Sequence, residues 1–368
     1  MNKRIFRPKQ SQAGFSLIEV MVAVIIGMIA MVVVLQIFGS SEARKRATTG
    51  GNDAQTGGLI ALNTLQRDVR QAGYGITTLK LLGCNLAVPK GTISGLAPVI
   101  INSGSIPKGD DDTDTLLVAY GVANGSPEGD VINTVPGSGQ YAVATPTSYN
   151  VNDWVIAEQD ARPSPCNLAL DQVTAKAAPG TATIGVAKGS SDMAFGTLYN
   201  LGANSGDKTL GPQFLGYRVS KGNLVMCDFM ANDCSQDNTT AWVPIASNIV
   251  SMRAQYGRDT TPKMDGVIDV FDRVAPAVSG DTNACDILRI AAVRIALVAR
   301  SGDYDKSTPT ANAPVWDGTD ADNPAGSEAL PIKLSANTDW QKYRYKVFQT
   351  TVPIRATTWL GPKEDCSP

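Results

Sequence analysis

Between Phe15 and Phe38 the chain runs through 24 residues whose only charge is Glu19. As a helix rising 1.5 Å per residue, that run is roughly 36 Å long, enough to cross the hydrocarbon of a bilayer. A segment this long and this apolar has no natural place on a water-soluble fold, so it predicts a membrane-spanning helix. A carboxylate in hydrocarbon costs several kcal/mol unless something answers it. Glu19 therefore marks a function, and the chemistry asks for a positive partner.

The flanks and composition narrow the class. The first fourteen residues hold Lys3, Arg4, Arg7 and Lys9 and no acid, which predicts a cytoplasmic N-terminus. Arg44, Lys45 and Arg46 beyond the run weaken that asymmetry, and Glu42 offsets one of them. The 368 residues contain no histidine, which removes His-based acid–base chemistry, Ser–His triads and most zinc sites. With 32 basic and 34 acidic side chains, no electrostatic footprint for nucleic acid exists. Neither a P-loop, a GxSxG element nor a paired-carboxylate motif stands out, and the expectation is no enzyme, no cofactor and no metal. The acidic stretch Asp110, Asp111, Asp112 and Asp114 raises a calcium site. It lacks the glycine and distal glutamate of an EF-hand, which favours a solvated turn before a strand.

Two positions are open for processing. The small residues Gly39, Ser40 and Ser41 follow the apolar core, as a signal-peptide cut requires. The other position precedes the core, at Gly14–Phe15. There the stretch GFSLIEV, behind a basic leader, resembles the processing site of type IV prepilins. The resemblance implies a leader over 1–14 removed by a prepilin peptidase between Gly14 and Phe15, N-methylation of Phe15, and an assembly helix over 15–38. It also gives Glu19 its partner: an N-terminal amine, its own or a neighbour's, as helices bundle. Two opposite charges satisfy each other in low dielectric where either alone is expensive, so Glu19 would act as a register pin.

Beyond the membrane, 39–75 reads as a continuation of the helix. Leu59, Leu62, Leu65, Val69 and Ala72 fall on one face at three- and four-residue spacings, and Gln66, Arg67, Asp68, Arg70 and Gln71 on the other. Gly73 and Gly75 are natural stops. Gly50–Gly51 and Gly57–Gly58 predict either a flexible joint or a loosely wound, solvent-exposed stretch. Residues 76–368 read as an exported β-rich head. Its candidate strands are 115–120, 153–159, 183–187, 214–220, 223–230, 249–257, 287–300 and 343–359, with a hairpin turn at Lys221–Gly222–Asn223 and long loops over 101–114, 121–139, 259–284 and 302–340. The partly apolar character of both faces of VRIALVAR makes 287–300 a central strand. The fold class is α+β: a long N-terminal membrane-spanning helix packed on an antiparallel sheet.

Two further stretches sharpen the resemblance. LNTLQRDVRQAGYG resembles the end of the long helix in PilW-type minor pilins, and VRIALVAR with YKVFQTTVPIRATTW resembles their closing strand pair. The J-type pseudopilins of type II secretion share this architecture. The closing strand of PilW-type chains commonly ends Arg-Asn, whereas here Arg355 is followed by Ala356. The resemblance implies a structural subunit that helps initiate a type IV pilus. Its partners would be other minor pilins, the major pilin, the peptidase and the inner membrane. The alternatives are a secretion pseudopilin or a tip adhesin binding a surface ligand. A head of nearly 300 residues suits a place that is not repeated along a shaft, the filament tip.

Six cysteines all lie beyond the apolar run, which in an exported domain predicts disulfides. Cys227 and Cys234 flank a turn-rich loop and are expected to pair across it. If strands 287–300 and 343–359 are antiparallel neighbours, Cys285 meets Cys366, which leaves Cys84 with Cys166.

Overall fold

The computed structural model describes residues 14, 16–122, 126–204, 210–276, 281–305, 308–335 and 337–358, with some helical side chains between 40 and 53, at 281–283 and at 358 outside that description. Helix α1 (Leu17–Gln71) is 55 residues long and unbroken. Internal contacts divide the chain into Met1–Gly50 and Gly51–Pro368. In the first unit the helix is apolar all round: from Leu17 to Phe38 its large side chains are 48% to 78% exposed. The stretch Leu17–Gly39 is long and apolar enough to span a membrane.

The second unit holds the last turns of α1 and the head. In chain order the head has β1 (Asn85–Val88), β2 (Gly91–Ile93), β3 (Val99–Ile101) and β4 (Leu116–Tyr120). Next come β5 (Asp130–Gly137), β6 (Gln140–Val143), β7 (Asp153–Glu158), β8 (Asn167–Ala175), β9 (Thr183–Val186) and β10 (Thr197–Ala203). Then β11 (Gln213–Ser220), β12 (Asn223–Asp228), β13 (Val243–Ser247), β14 (Ile249–Arg258) and β15 (Val270–Asp272). Helix α2 (Asp281–Leu288), β16 (Ile290–Arg300), β17 (Tyr345–Pro353) and the single turn α3 (Arg355–Thr358) follow.

A five-stranded antiparallel sheet, β13-β12-β11-β4-β3, and a four-stranded one, β15-β14-β16-β17, share their inner faces with α1. The alternation of a pleated strand is visible in β4: Leu116, Val118 and Tyr120 join the helix-side core, while Leu117 and Ala119 join a second core behind the sheet. Strand β16 is central, and Ile290–Ala299 is buried throughout. Ile295 and Leu297 face the α1 core. Ala296 and Val298 are covered by Trp316, Leu330, Ile332 and Leu334 from the long segment between β16 and β17. That segment is clipped to the sheet by Arg294, which is 3% exposed. Its guanidinium lies 3.9 Å from the Phe271 ring centroid and donates to Gln255 Oε1 (2.7 Å) and to the Asn323 carbonyl (2.9 Å). Lys221 and Gly222, both at positive φ, turn β11 into β12.

Several expectations are corrected. The expected strand 287–300 starts only at Ile290, because Asp281–Leu288 is helical. The expected strand 343–359 spans Tyr345–Pro353 and gives way to α3. The expected loop 121–139 contains β5, and 259–284 contains β15 and the start of α2. The long connection between β4 and β11 is the largest departure. Strands β5 to β10 close on themselves in the order β5-β6-β9-β8-β7-β10, every neighbouring pair antiparallel, forming a six-stranded ring. Its interior is a core of its own, built on Ile132, Tyr141, Val155, Ile184 and Leu198. Because β4 and β11 are themselves paired (Tyr120 opposite Gln213), the ring is an insertion that leaves and returns between two adjacent strands.

The helix face is also corrected. The buried stripe of α1 is Ala54, Gly58, Ala61, Leu65, Asp68 and Val69, continued by Ala72 just past its end, while Leu59 is 44% exposed. The stripe is rotated towards small residues because the sheet comes close. A Cβ on Gly58 would lie 2.2 Å from the Phe348 ring, and one on Gly57 would lie 3.4 Å from the Ser247 carbonyl. Gly58 is thus a contact point within an intact helix. Replacing it sets two effects against each other. Alanine gains about 1 kcal/mol of helix propensity, but overpacking against a buried ring costs about 1–3 kcal/mol. We expect Gly58→Ala to be net destabilising in chemical unfolding of the detergent-solubilised chain, and Gly58→Ala with Phe348→Leu to recover stability relative to the single variant.

Candidate functional site

The N-terminal end of α1 is the first candidate. Ser16 precedes the helix, and its carbonyl accepts the Glu19 N–H (3.0 Å) and the Val20 N–H (3.1 Å). Glu19 therefore lies in the first turn, where unpaired N–H groups and the helix dipole favour a carboxylate. The spacing Ser16-x-x-Glu19 is that of a capping box. Glu19 is exposed and has no ion-pair partner among the described residues. Gly14 is exposed as well, with open space where a Cβ would stand. Phe15 lies outside the described residues.

The cysteines fall on the head. The structure joins Cys84 to Cys166 (Cα–Cα 4.8 Å), tying the segment before β1 to the entry of β8. It joins Cys227 to Cys234 (Cα–Cα 5.8 Å) across the loop after β12. Cys285, in α2, is also disulfide-bonded. Its expected partner, Cys366, lies outside the described residues.

The acidic stretch before β4 is occupied by the protein itself. Asp110 accepts the N–H groups of Lys221 (2.9 Å) and Gly222 (2.8 Å), holding the β11–β12 turn. Asp112 lies 3.9 Å from Arg253. Asp114, 2% exposed, accepts from Asn102 (2.9 Å), the Ala254 N–H (3.1 Å) and Arg273 (3.3 Å). These carboxylates fasten turn to sheet.

A second acidic centre went unread in the sequence. Asp68, assigned there to the polar face, is 1% exposed on the buried stripe of α1. Tyr120 of β4 donates to Oδ1 (3.3 Å), Tyr217 of β11 donates to Oδ2, and Arg67 Nε lies 3.0 Å from Oδ1. The hydrogen bond and charge of Asp68 raise the Arg67 pKa. Burial, reinforced by the carboxylate, raises both tyrosines. The available signal was positional: Asp68 follows Ala61 and Leu65 at helical spacing and precedes Ala72 by four. Around it the end of α1 carries Arg67, Arg70 and Gln71 outward, beside a groove floored by β4, β11 and β12.

A third buried carboxylate joins the inserted ring to the rest of the head. Glu158, at the end of β7, is 1% exposed; Tyr199 donates to its Oε2 (3.1 Å) and Lys80 lies 3.7 Å from Oε1. Nearby, Arg162 donates to the carbonyls of Leu79 (2.7 Å) and Leu82 (2.8 Å).

Against this geometry, two family models match. One, the prokaryotic N-terminal methylation motif, covers residues 9–35, which include Gly14, Phe15 and Glu19. The other, type IV pilus-assembly protein W, covers 217–356, from β11 to α3. A solved type IV-like pilin from Thermus thermophilus aligns with 57% of this chain and 87% of its own length, at 11% identity and a TM-score of 0.22. No curated protein matches. Residues 217–356 are thus similar to the PilW-type pilus-assembly family and residues 9–35 to the prepilin methylation motif, which together support a type IV pilin-like protein of the PilW type. The two matched segments support a minor pilin of the type IV pilin family.

Two outcomes follow from the buried carboxylates. Asp68→Ala strands two buried hydroxyls and removes a shared acceptor, so we expect a loss of about 2–4 kcal/mol in chemical unfolding. Asp68→Leu combined with Tyr120→Phe and Tyr217→Phe should recover much of that loss, since no polar group is then left unpaired. For Glu158, burial lifts the pKa from 4.5 to about 7 against the downward pull of Lys80. The folded chain thus holds this proton more tightly than the unfolded one. Its contribution is most favourable below about pH 4.5 and declines as pH rises through 7, by up to about 3 kcal/mol. Glu158→Gln should flatten that decline in melting temperatures recorded from pH 5 to pH 8.5; an unchanged slope would assign it to other groups.

Proposed function

We propose that this chain is a structural subunit that helps initiate a type IV pilus and sits at or near its tip, held in the inner membrane before assembly with its head on the periplasmic side. The observation that carries the reading is α1 itself. One continuous helix has an apolar half whose side chains are uncovered, a methylation motif at its start, and a polar half seated on a PilW-type head. An apolar helix without a partner in its own chain must be covered by lipid or by neighbouring helices. Subunit assembly provides the second cover once the first is left behind.

In this reading the prepilin peptidase cuts between Gly14 and Phe15, Phe15 is methylated, and the new amine pairs with Glu19 of its own or a neighbouring subunit. The partners are other minor pilins and the major pilin. The tip position is supported by the head itself: a sizeable inserted ring and a covering segment between β16 and β17 add bulk that a closely repeated shaft subunit has little room for. The role is structural, with no reaction catalysed.

Deletion of the gene should abolish or sharply reduce surface pili seen by electron microscopy. Intact pili with a defect in protein secretion would instead assign the chain to a type II secretion machine. Gly14→Val should leave the leader attached, read as the uncut mass, because a β-branched side chain crowds a site that glycine leaves open. Glu19→Val should be cut yet recovered with sheared filaments at a fraction of the wild-type amount. Wild-type recovery of Glu19→Val would remove the pairing argument.

A further inference from the structure

Where α1 stops, the sheet beneath it continues. The chain turns away through Gly73 and Gly75, both at positive φ, with Gly73 N–H on the Ala119 carbonyl and Gly121 N–H on that of Tyr74. Among the described residues, no helix covers the inner face of β11 and β12 past that turn. The result is a groove of about 780 Å³. Tyr120, Leu215 and Met226 lie on the sheet side, Tyr74 (44% exposed) at one end, and Arg67 and Arg70 along the helix side. Arg355 and Asp228 also line it and are of opposite sign, so the excess charge comes from the helix.

Asp68 also lines the groove and offsets Arg67, so the charge left over on the helix side is that of Arg70. Asp68 points inward and is satisfied by two tyrosine hydroxyls and Arg67 Nε. The Arg67 side chain is 69% exposed, and Arg70 is exposed with no ion pair among the described residues. An apolar floor with guanidinium groups along one side fits an occupant that is apolar in the middle and carries carboxylates at its flank. Apolar burial would supply the affinity, and exposed ion pairs, worth little each, would set orientation and exclude wrong partners. The groove is continuous with α1, the element through which the subunit assembles in the reading above.

We propose that this groove receives an acid-flanked apolar segment of a different pilin-fold subunit, with Arg70 facing its carboxylates. The inference rests on the assembly-subunit reading and deepens it by naming the surface and chemistry of the contact.

The test uses the full chain in cells that make pili. A photoreactive benzoylphenylalanine is placed at Gln71, which lines the groove, and separately at the exposed Val315, which does not. Cross-linked peptides are sequenced by mass spectrometry. The expected product from Gln71 is a peptide of another pilin-fold subunit with Asp or Glu beside an apolar stretch, not obtained from Val315. Arg70→Glu, an exposed change, should lower the yield at least fivefold at unchanged subunit level and melting temperature, and an acid-to-Arg change in the partner peptide should restore it. Should Arg70→Glu prove unstable, Arg70→Gln should still lower the yield. Four outcomes would overturn the proposal: a product with lipid, with a second copy of this chain, no product from a subunit recovered normally with pili, or a yield indifferent to Arg70. If the unmodified chain is absent from pili altogether, the assembly reading itself fails; if it is present and the groove is silent, only this inference does.

Discussion

The head depends on how closely a helix can lie on a sheet. Ala54, Gly58 and Ala61 present almost no side chain, so the ring of Phe348 reaches the helix backbone at Gly58. Further along, Leu65 and Val69 fill a wider space, and Asp68 reaches the sheet with hydrogen bonds in place of bulk. The close approach and the polar pin divide the work. Small residues allow many orientations of a helix on a flat apolar surface, whereas a carboxylate held by hydroxyls from β4 and β11 accepts few. A buried polar centre with all its partners contributes modestly to stability but penalises every arrangement that separates them. Reading Asp68 as the fixing point of helix rotation follows from that asymmetry.

The elements easiest to read in the sequence were those whose own pattern decides them. The apolar run needs only length and hydropathy. The long strands β11, β14 and β16 carry enough alternation or continuous apolar character to be found without tertiary knowledge. What escaped depends on partners. The stripe of α1 looked like leucines because a leucine is the usual core residue, yet Leu59 faces outward and glycine faces in, since Phe348 comes from nearly 300 residues away. Asp68 looked solvated for the same reason: nothing local tells that Tyr120 and Tyr217 will meet it. Of the ring, β7 and β9 were legible and β5, β6, β8 and β10 were not, because a small closed ring is stabilised by mutual pairing more than by the hydrophobic face of any one strand.

That ring clarifies the extent of the PilW-type match. The matched segment begins inside β11 and ends in α3, so the ring, from β5 to β10, lies before it. Topologically the ring can be removed on paper without unpairing β4 from β11. It is nevertheless held to the head by a disulfide from Cys84 to Cys166, a parallel pairing of β1 with β8, the Arg162 contacts to the Leu79 and Leu82 carbonyls, and the Glu158–Lys80 pair. All four attach to the short stretch just after α1. An insertion tied only by its two ends would be free to reorient, whereas this one is braced against the part of the head that follows the helix.

The end of α1 then has a double character that its sequence order explains. In Arg67-Asp68-Val69-Arg70-Gln71, successive residues lie about 100° apart around the axis. One acid and one valine turn in; two arginines and a glutamine turn out. The buried acid stays paired with Arg67, so the outward face keeps the charge of Arg70. The same carboxylate that fixes the helix on the sheet therefore also determines what charge the helix offers to a neighbour.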